Sequence, residues 1–308
     1  NFDLSTGREG KLARQERGRQ PSGRAATHDH DSHGCAGCQH VLFHFHLCQL
    51  WKTRLNPVGS QSIAFLTGAN GMTSSILIAG GGSAGWITAN VLAASFERAG
   101  GLAPQITLIE APDIPIIGVG EATVPSIRRT LQYIGIGERE FMRACDATFK
   151  TLIRFDDWSP GISFDHPFDR RERPATDMAV EDWLRHGQDA PSFDGTFSVL
   201  SRITAFNLAP KAVGWPDYGS PFPYAYHLDA VKLARALTGI GLKRGIRHVL
   251  GRITDVNVAA SGSIESVELE DKTIHSADLF VDCTGFAARL VGQALGIEKT
   301  SFSKQLLC

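Results

Sequence analysis

The run Ile76-Leu77-Ile78-Ala79, followed at once by Gly80-Gly81-Gly82-Ser83-Ala84-Gly85, constrains this chain more than any other stretch. Four consecutive apolar residues suit a parallel strand buried on both faces, and a strand that breaks directly into glycines must turn sharply. Gly80, Gly82 and Gly85 fit the spacing GxGxxG. In that spacing the first glycine makes the tight turn, the second lets a pyrophosphate approach the main chain, and the third lets helix pack closely on strand. Ser83 and Ala84 open a helix predicted to run to about Arg98, with Ala84, Ile87, Val91, Leu92 and Ala94 on its apolar face. Its N-terminus would face phosphate charge. A second strand over residues 106–109 ends in Glu110, whose carboxylate can accept hydrogen bonds from ribose hydroxyls. Strand, loop, helix and acid together predict a dinucleotide site, without choosing between FAD and NAD.

Later sequence makes that choice. Residues 247–249, 253–258, 264–269 and 273–275 read as short strands joined by turns such as Ala260-Ser261-Gly262-Ser263, a β-meander. An apolar strand follows from Ala277 and ends in a small-residue turn through Gly285. This order resembles the glutathione-reductase-like FAD-binding Rossmann fold of aromatic-hydroxylase-type flavoproteins. The expected fold class is therefore α/β with a β-meander crossover, its C-terminal part missing. Ile253 in the meander, and Asp282 and Gly285 in the last turn, are expected on the cofactor side.

A chain of 308 residues with 43% hydrophobic content can bury a sizeable core, and a net charge of -1 exerts no overall pull toward nucleic acid or an anionic membrane. The longest apolar candidate, residues 41–51, is too short to span a bilayer and is interrupted by His44 and His46. Small-molecule chemistry is expected, with no nucleic acid and no membrane. Cys145, Cys283 and Cys308 lack disulfide-like spacing, which fits a reducing cytoplasm. Residues 1–71 carry scattered arginines without apolar periodicity and are expected to be disordered or a mistranslated leader ahead of Met72. The same stretch holds Cys35 and Cys38 among several histidines, the pattern of a zinc knuckle. The leader reading is preferred, so no metal site is expected. Residues 72–308 are expected to form an FAD-binding domain with part of a substrate-binding region. The abrupt end at Cys308 suggests a truncated frame.

The most distinctive stretch is Ile117-Gly118-Val119-Gly120-Glu121-Ala122-Thr123-Val124-Pro125-Ser126, in which glycines, a carboxylate and a hydroxyl precede a proline-initiated helix. Such a loop can shape itself around a ring. Together with Ala84-Gly85-Trp86, Phe149-Lys150 and Tyr226-His227-Leu228-Asp229-Ala230, it makes the chain from Met72 to Cys308 resemble the flavin-dependent tryptophan halogenase family. The resemblance implies an FADH2-dependent halogenase that uses O2 and chloride or bromide to make hypohalous acid, which passes through a tunnel to tryptophan or another indole. It implies a separate NADH-dependent flavin reductase as partner, and a homodimer when full length.

By the same resemblance, Gly118, Val119, Gly120, Glu121, Ala122 and Thr123 lie along the flavin, with Glu121 open between a charge near the flavin and a cap for the following helix. Lys150 takes the place of the family's catalytic lysine. Its ammonium can polarise hypohalous acid by hydrogen bonding, whereas a neutral amine, favoured by burial, could form a haloamine. Alone, it would read as a solvated lysine at a strand end. His166 and Phe168 resemble positions that sandwich the indole ring, although Pro167 departs from the tryptophan-specific members and a surface-loop histidine is the other reading of His166. The family's Trp-x-Trp-x-Ile-Pro signature, and the later segment supplying a catalytic glutamate and halide contacts, do not occur here. Two other readings stand beside the halogenase: a flavin monooxygenase or reductase of the same fold, for which Lys150 is incidental, and a non-catalytic flavin-binding fragment.

Overall fold

The structure is a computed structural model and describes residues 73–115, 120–169, 175–186, 192–302 and 304. The expectations for residues 1–71, and for Gly118 and Val119, lie outside the described residues. The chain runs β1 (Ser75–Ala79), α1 (Ser83–Ala99), β2 (Gln105–Glu110), β3 (Gly120–Ala122), α2 (Ile127–Ile134), α3 (Glu138–Ala144) and β4 (Thr148–Lys150). The hairpin β5 (Leu152–Ser159) and β6 (Ile162–Pro167) comes next, then α4 (Ala175–Arg185), α5 (Phe193–Phe197) and α6 (Val199–Ala205). There follow β7 (Ala225–Asp229), α7 (Ala230–Lys243), β8 (Arg247–Leu250), β9 (Ile253–Val258), β10 (Ile264–Leu269), β11 (Ile274–Ser276) and β12 (Leu279–Asp282).

Strands β12, β1, β2 and β8 form a parallel sheet in that order. Because side chains alternate along a strand, one sheet contributes to two cores. Ile76, Ile78, Ile106 and Leu108 pack with Trp86, Ala89, Ala93 and Phe96 of α1 and with Leu233 and Leu237 of α7. Leu77, Ala79 and Ile109 on the opposite face pack with Val267 and Leu269 of β10 and with Leu290. Helices therefore cover one face and the antiparallel meander β11-β10-β9 covers the other, the layering of an FAD-binding Rossmann fold.

Two details differ from the sequence reading. Residues 247–250 are not a meander strand; β8 pairs in parallel with β2, Leu108 opposite His248 and Ile109 opposite Val249. The 14-residue α7 before it starts from β7, outside this sheet, packs Leu233 and Leu237 against it and delivers the chain to the edge beside β2. In α1 the buried side is centred on Trp86, Ala89, Asn90, Ala93 and Phe96, while Ala84 is exposed and Ile87 and Val91 only half-buried. The shift follows from α1 packing against α7 as well as the sheet: Asn90 Nδ2 donates to the carbonyls of both Trp86, at 2.9 Å, and Leu237, at 3.0 Å.

A second, smaller sheet has the order β3-β7-β4, all antiparallel. In β7, Ala225, Tyr226 and Leu228 are buried and His227 is exposed, so one face of this sheet joins the core while the other is covered at Ala225 and open at His227. The β5–β6 hairpin is tied by the Arg154–Asp165 pair, at 2.7 and 2.9 Å, and by Phe155 stacked on Phe164 at 5.0 Å.

Candidate functional site

The glycine loop is shaped by what surrounds each position. Gly80 has φ +112 and donates its amide to the Ile109 carbonyl at 2.8 Å; a Cβ there would run into the Cys283 carbonyl. A Cβ on Gly85 would run into the Gly80 carbonyl, so turn and helix close on each other only with glycine. Gly82 is different: among the described residues nothing stands within 4 Å of where its Cβ would be. Open space beside main chain at a helix start is what a pyrophosphate needs, and the amides of the first turn of α1, at Ser83 and Ala84, have no partner inside the helix. The loop therefore fits a dinucleotide.

Gly81, which the sequence pattern passes over, is buried, and a Cβ there would strike the Glu110 side chain. Glu110 thus lies across the loop. Its Oε2 pairs with His248 Nε2 at 2.8 Å, and the His248 ring stands edge-on to Trp86 at 5.0 Å. The carboxylate that would meet a ribose is held from β8, a strand well over a hundred residues away in sequence.

Beside the start of the loop, in register with Ala79, Asp282 has both oxygens in use. Oδ2 accepts from the amides of Leu290 and Val291, at 2.8 and 2.9 Å, and Oδ1 accepts from the Thr284 amide and hydroxyl, at 3.0 and 2.6 Å. It caps the helical turn over Arg289–Ala294. Gly285 follows with φ +64, and the Ile253 carbonyl accepts from Arg289 Nη2 at 2.8 Å. Asp282, Gly285 and Ile253 are thereby gathered around one turn.

The stretch from Gly120 to Thr123 forms β3 and its exit. Gly120 pairs with Asp229, Glu121 with Leu228 and Ala122 with His227. Glu121 lies within the strand, and Ser126 is the residue ahead of α2, so Glu121 does not cap that helix. Thr123 extends the pairing with both amide and side chain: its amide and Oγ1 donate to the Tyr226 carbonyl at 3.0 and 2.9 Å, and Oγ1 accepts from the Tyr226 amide at 3.0 Å.

Lys150 ends β4, in register with Ala225 of β7. It is only 8% exposed, and its Nζ donates to the Thr123 carbonyl at 3.1 Å. The Phe168 ring lies 5.3 Å from the same nitrogen, positioned by the Phe168 amide donating to the Thr151 carbonyl at 3.0 Å. Burial lowers the pKa of Lys150. On the same sheet face, two residues on from Ala225, stands His227, whose pKa is lowered by partial desolvation of its ring and by the Lys150 charge. The structure thus brings Lys150, Thr123 and Phe168 together. His166 is exposed on β6, opposite Ile153.

Beneath the small sheet lies a network with no pattern in the sequence to announce it. Glu138, 3% exposed, accepts from the hydroxyls of Tyr224 and Tyr226 at 2.5 and 2.6 Å, from Lys211 Nζ at 2.6 Å and from the Tyr218 amide at 2.8 Å. Burial by itself would raise its pKa, but the bonds from Lys211, Tyr224, Tyr226 and Tyr218 outweigh that and hold the carboxyl below its ordinary value. Burial pushes the phenols of Tyr224 and Tyr226 up, so both remain donors. Apolar alternation of Tyr226 and Leu228 around His227 marks Tyr226 as inward, but nothing in the sequence joins it to Glu138.

The family model described as tryptophan halogenase matches residues 75–308. The chain belongs to the tryptophan halogenase family. Within it, the tryptophan 6-halogenase SttH of Streptomyces toxytricini is 33% identical over 253 residues, which cover 75% of this chain and 47% of that protein. The tryptophan 7-halogenase RebH of Lentzea aerocolonigenes is 34% identical over 257 residues, covering 77% and 47%. The solved structure of Xcc4156, a flavin-dependent halogenase from Xanthomonas campestris, superposes with a TM-score of 0.67 at 35% identity, over 76% of this chain and 46% of that one. The chain spans about half the length of the curated relatives it matches. Among the described residues no group of His, Cys, Asp or Glu is arranged to hold a metal ion, and no helix is long and apolar enough to cross a membrane.

Proposed function

We propose that this protein is a flavin-dependent halogenase that places chlorine or bromine on an aromatic substrate, tryptophan or another indole. The observation that carries the reading is Lys150, buried at the end of β4 and hydrogen-bonded at 3.1 Å to Thr123 at the exit of β3. A lysine at an ordinary strand end would extend into water. Family membership supplies the chemical class, since the relatives are named as tryptophan halogenases.

In this reading the loop from Gly80 to Gly85 and the start of α1 hold the FAD pyrophosphate, Glu110 takes the ribose, and residues 118–123 line the flavin ring. Bound reduced flavin, delivered by an NADH-dependent reductase, supplies two electrons that allow O2 and a halide ion to yield hypohalous acid and water. Lys150 donates one hydrogen bond to Thr123 and retains two N–H groups for hypohalous acid, drawing electron density from oxygen and leaving the halogen electrophilic. The ring carbon then bonds the halogen as the halogen–oxygen bond breaks; the ring loses its proton, and hydroxide plus that proton leaves as water. Phe168 offers a flat apolar face for the ring, with His166 as its partner.

Lys150→Ala, assayed with FAD, a flavin reductase, NADH and chloride or bromide, is expected to abolish halogen incorporation into tryptophan or indole while FAD binding persists. Halogenation that survives the substitution overturns the assignment of Lys150. A hydroxylated product without halogen from the unsubstituted protein would assign it to the flavin monooxygenases of this fold.

A further inference from the structure

We infer that Thr123 is a positioning residue for Lys150: its side-chain hydroxyl locks its own carbonyl in the direction that receives the lysine ammonium. The inference rests on the halogenase reading for its functional meaning, but its geometry stands independently. Lys150 and Thr123 lie on strands that flank β7 on opposite sides, β4 on one and the exit of β3 on the other. The lysine side chain therefore passes across β7 to reach a carbonyl on the far strand, at 3.1 Å.

That carbonyl would be poorly defined without help, because the β3 ladder ends at Ala122 and Val124 is already exposed. The Thr123 hydroxyl substitutes for the missing rung. It gives its proton to the Tyr226 carbonyl at 2.9 Å and receives the Tyr226 amide at 3.0 Å, while the Thr123 amide bonds the same carbonyl at 3.0 Å. Three bonds fix the Thr123 amide and side chain against Tyr226, and because the hydroxyl takes the Tyr226 amide, the Thr123 carbonyl is left for Lys150. Tyr226 is itself held, because its phenol donates to buried Glu138 at 2.6 Å.

The surroundings of Lys150 make this acceptor matter. Among the described residues no carboxylate forms an ion pair with it. Among the described residues, it is faced by the Phe168 ring from the segment after β6, His227 from β7 and the Thr123 carbonyl. Burial disfavours the ammonium. The carbonyl is the polar group that favours the charged form. Loss of its alignment lowers the pH at which Lys150 gives up its proton.

The test follows Lys150 itself, not turnover. Lys150 is titrated by pH-dependent acetylation with acetic anhydride, read by mass spectrometry of the peptide, so that the midpoint reports ionisation and the plateau reports access. Thr123→Val keeps the shape and removes the hydroxyl; it is expected to move the midpoint down by about one unit, the scale of part of a hydrogen bond to a charged group. Thr123→Ser restores the hydroxyl and is expected to restore the midpoint. An unchanged midpoint in folded Thr123→Val, or an equal shift in Thr123→Ser, overturns the inference.

A second measurement needs no change at Thr123. Thr123-Val124 is the sole Thr-Val pair in the sequence, so carbonyl-13C threonine with 15N valine gives one NMR signal across that bond. Its carbonyl shift is expected to titrate with the Lys150 midpoint and to lose that step in Lys150→Met; a carbonyl that does not follow Lys150 overturns the inference. Failure of halogenation in other assays would sink the functional reading and leave these two results standing.

Discussion

In the parallel sheet, the glycine loop joins elements that follow one another along the chain, β1, α1 and β2, and it is bounded by the main chain of Ile109 and Cys283 and by the Glu110 side chain. In the small sheet, β3, β4 and β7 come from three separate stretches, and polar side chains hold them: Thr123 across the ladder and Glu138 beneath it. The first region works by leaving room, the second by filling it. A cofactor phosphate requires an approach to main chain that no side chain obstructs, whereas a buried lysine requires partners fixed before a substrate arrives.

The sharpest way to break this contrast is at Glu138. Glu138→Ala would strand the hydroxyls of Tyr224 and Tyr226 in the interior and leave the half-buried Lys211 only the Pro216 carbonyl, and removing one partner of a buried pair costs about 3–5 kcal/mol. Denaturant unfolding of the variant checks this. The pH dependence has a definite sign. Because the folded carboxyl titrates below its ordinary value of 4.5, its stabilising effect is complete above that pH and is lost as pH falls through the lower folded value. The stability gap between the protein and Glu138→Gln is therefore expected to be widest near neutrality and to narrow below about pH 4.5. A gap that grows on acidification would mean that the carboxyl binds its proton more readily when folded.

In the parallel sheet the corresponding break is Gly85→Ala. The added methyl would meet the Gly80 carbonyl, main chain that cannot swing aside. Overpacking of this kind costs about 1–3 kcal/mol, and the displaced turn is expected to lose FAD affinity along with stability. Thermal unfolding and flavin fluorescence titration measure the two. A variant with unchanged melting temperature would show that loop and helix are less closely packed than the geometry requires.

How far each region was legible follows from the same difference. Gly80, Gly82, Gly85 and Glu110 could be placed from sequence because a strand–loop–helix–strand unit has a local period and fixed spacing. Lys150 was legible only through the resemblance of its neighbourhood, since one lysine at a strand end has no periodic signature. Gly81 was overlooked because the GxGxxG spacing leaves that position open, although the Glu110 side chain fills its space. His248, Glu138 and Thr123's second role were out of reach for another reason: their partners lie far away in the chain, and a hydrogen bond over such a separation leaves no trace in composition or hydrophobic pattern. The meander was recognised, but β8 was counted with it because a short strand of alternating character looks alike in either sheet; the long helix before it decides the matter.

The smallest expected change in stability is also the one that separates room from packing most cleanly. Gly82→Ala adds the same methyl as Gly85→Ala, three positions earlier in the same loop, but into space with nothing within 4 Å among the described residues. Gly82 has φ -73, which alanine adopts freely, and it precedes the helix, where replacing glycine costs under about 1 kcal/mol. The variant should therefore unfold close to the unsubstituted protein. If that space belongs to the pyrophosphate, the methyl stands where a phosphate oxygen would lie, and FAD affinity should fall about tenfold or more, a loss of about 1.4 kcal/mol. Matched calorimetric melting and flavin titration of the two alanine variants give the decisive comparison. Stability and binding should fall together at Gly85, and binding alone at Gly82. Unchanged FAD affinity in Gly82→Ala would place the phosphate elsewhere and would leave the open space beside the loop without a purpose.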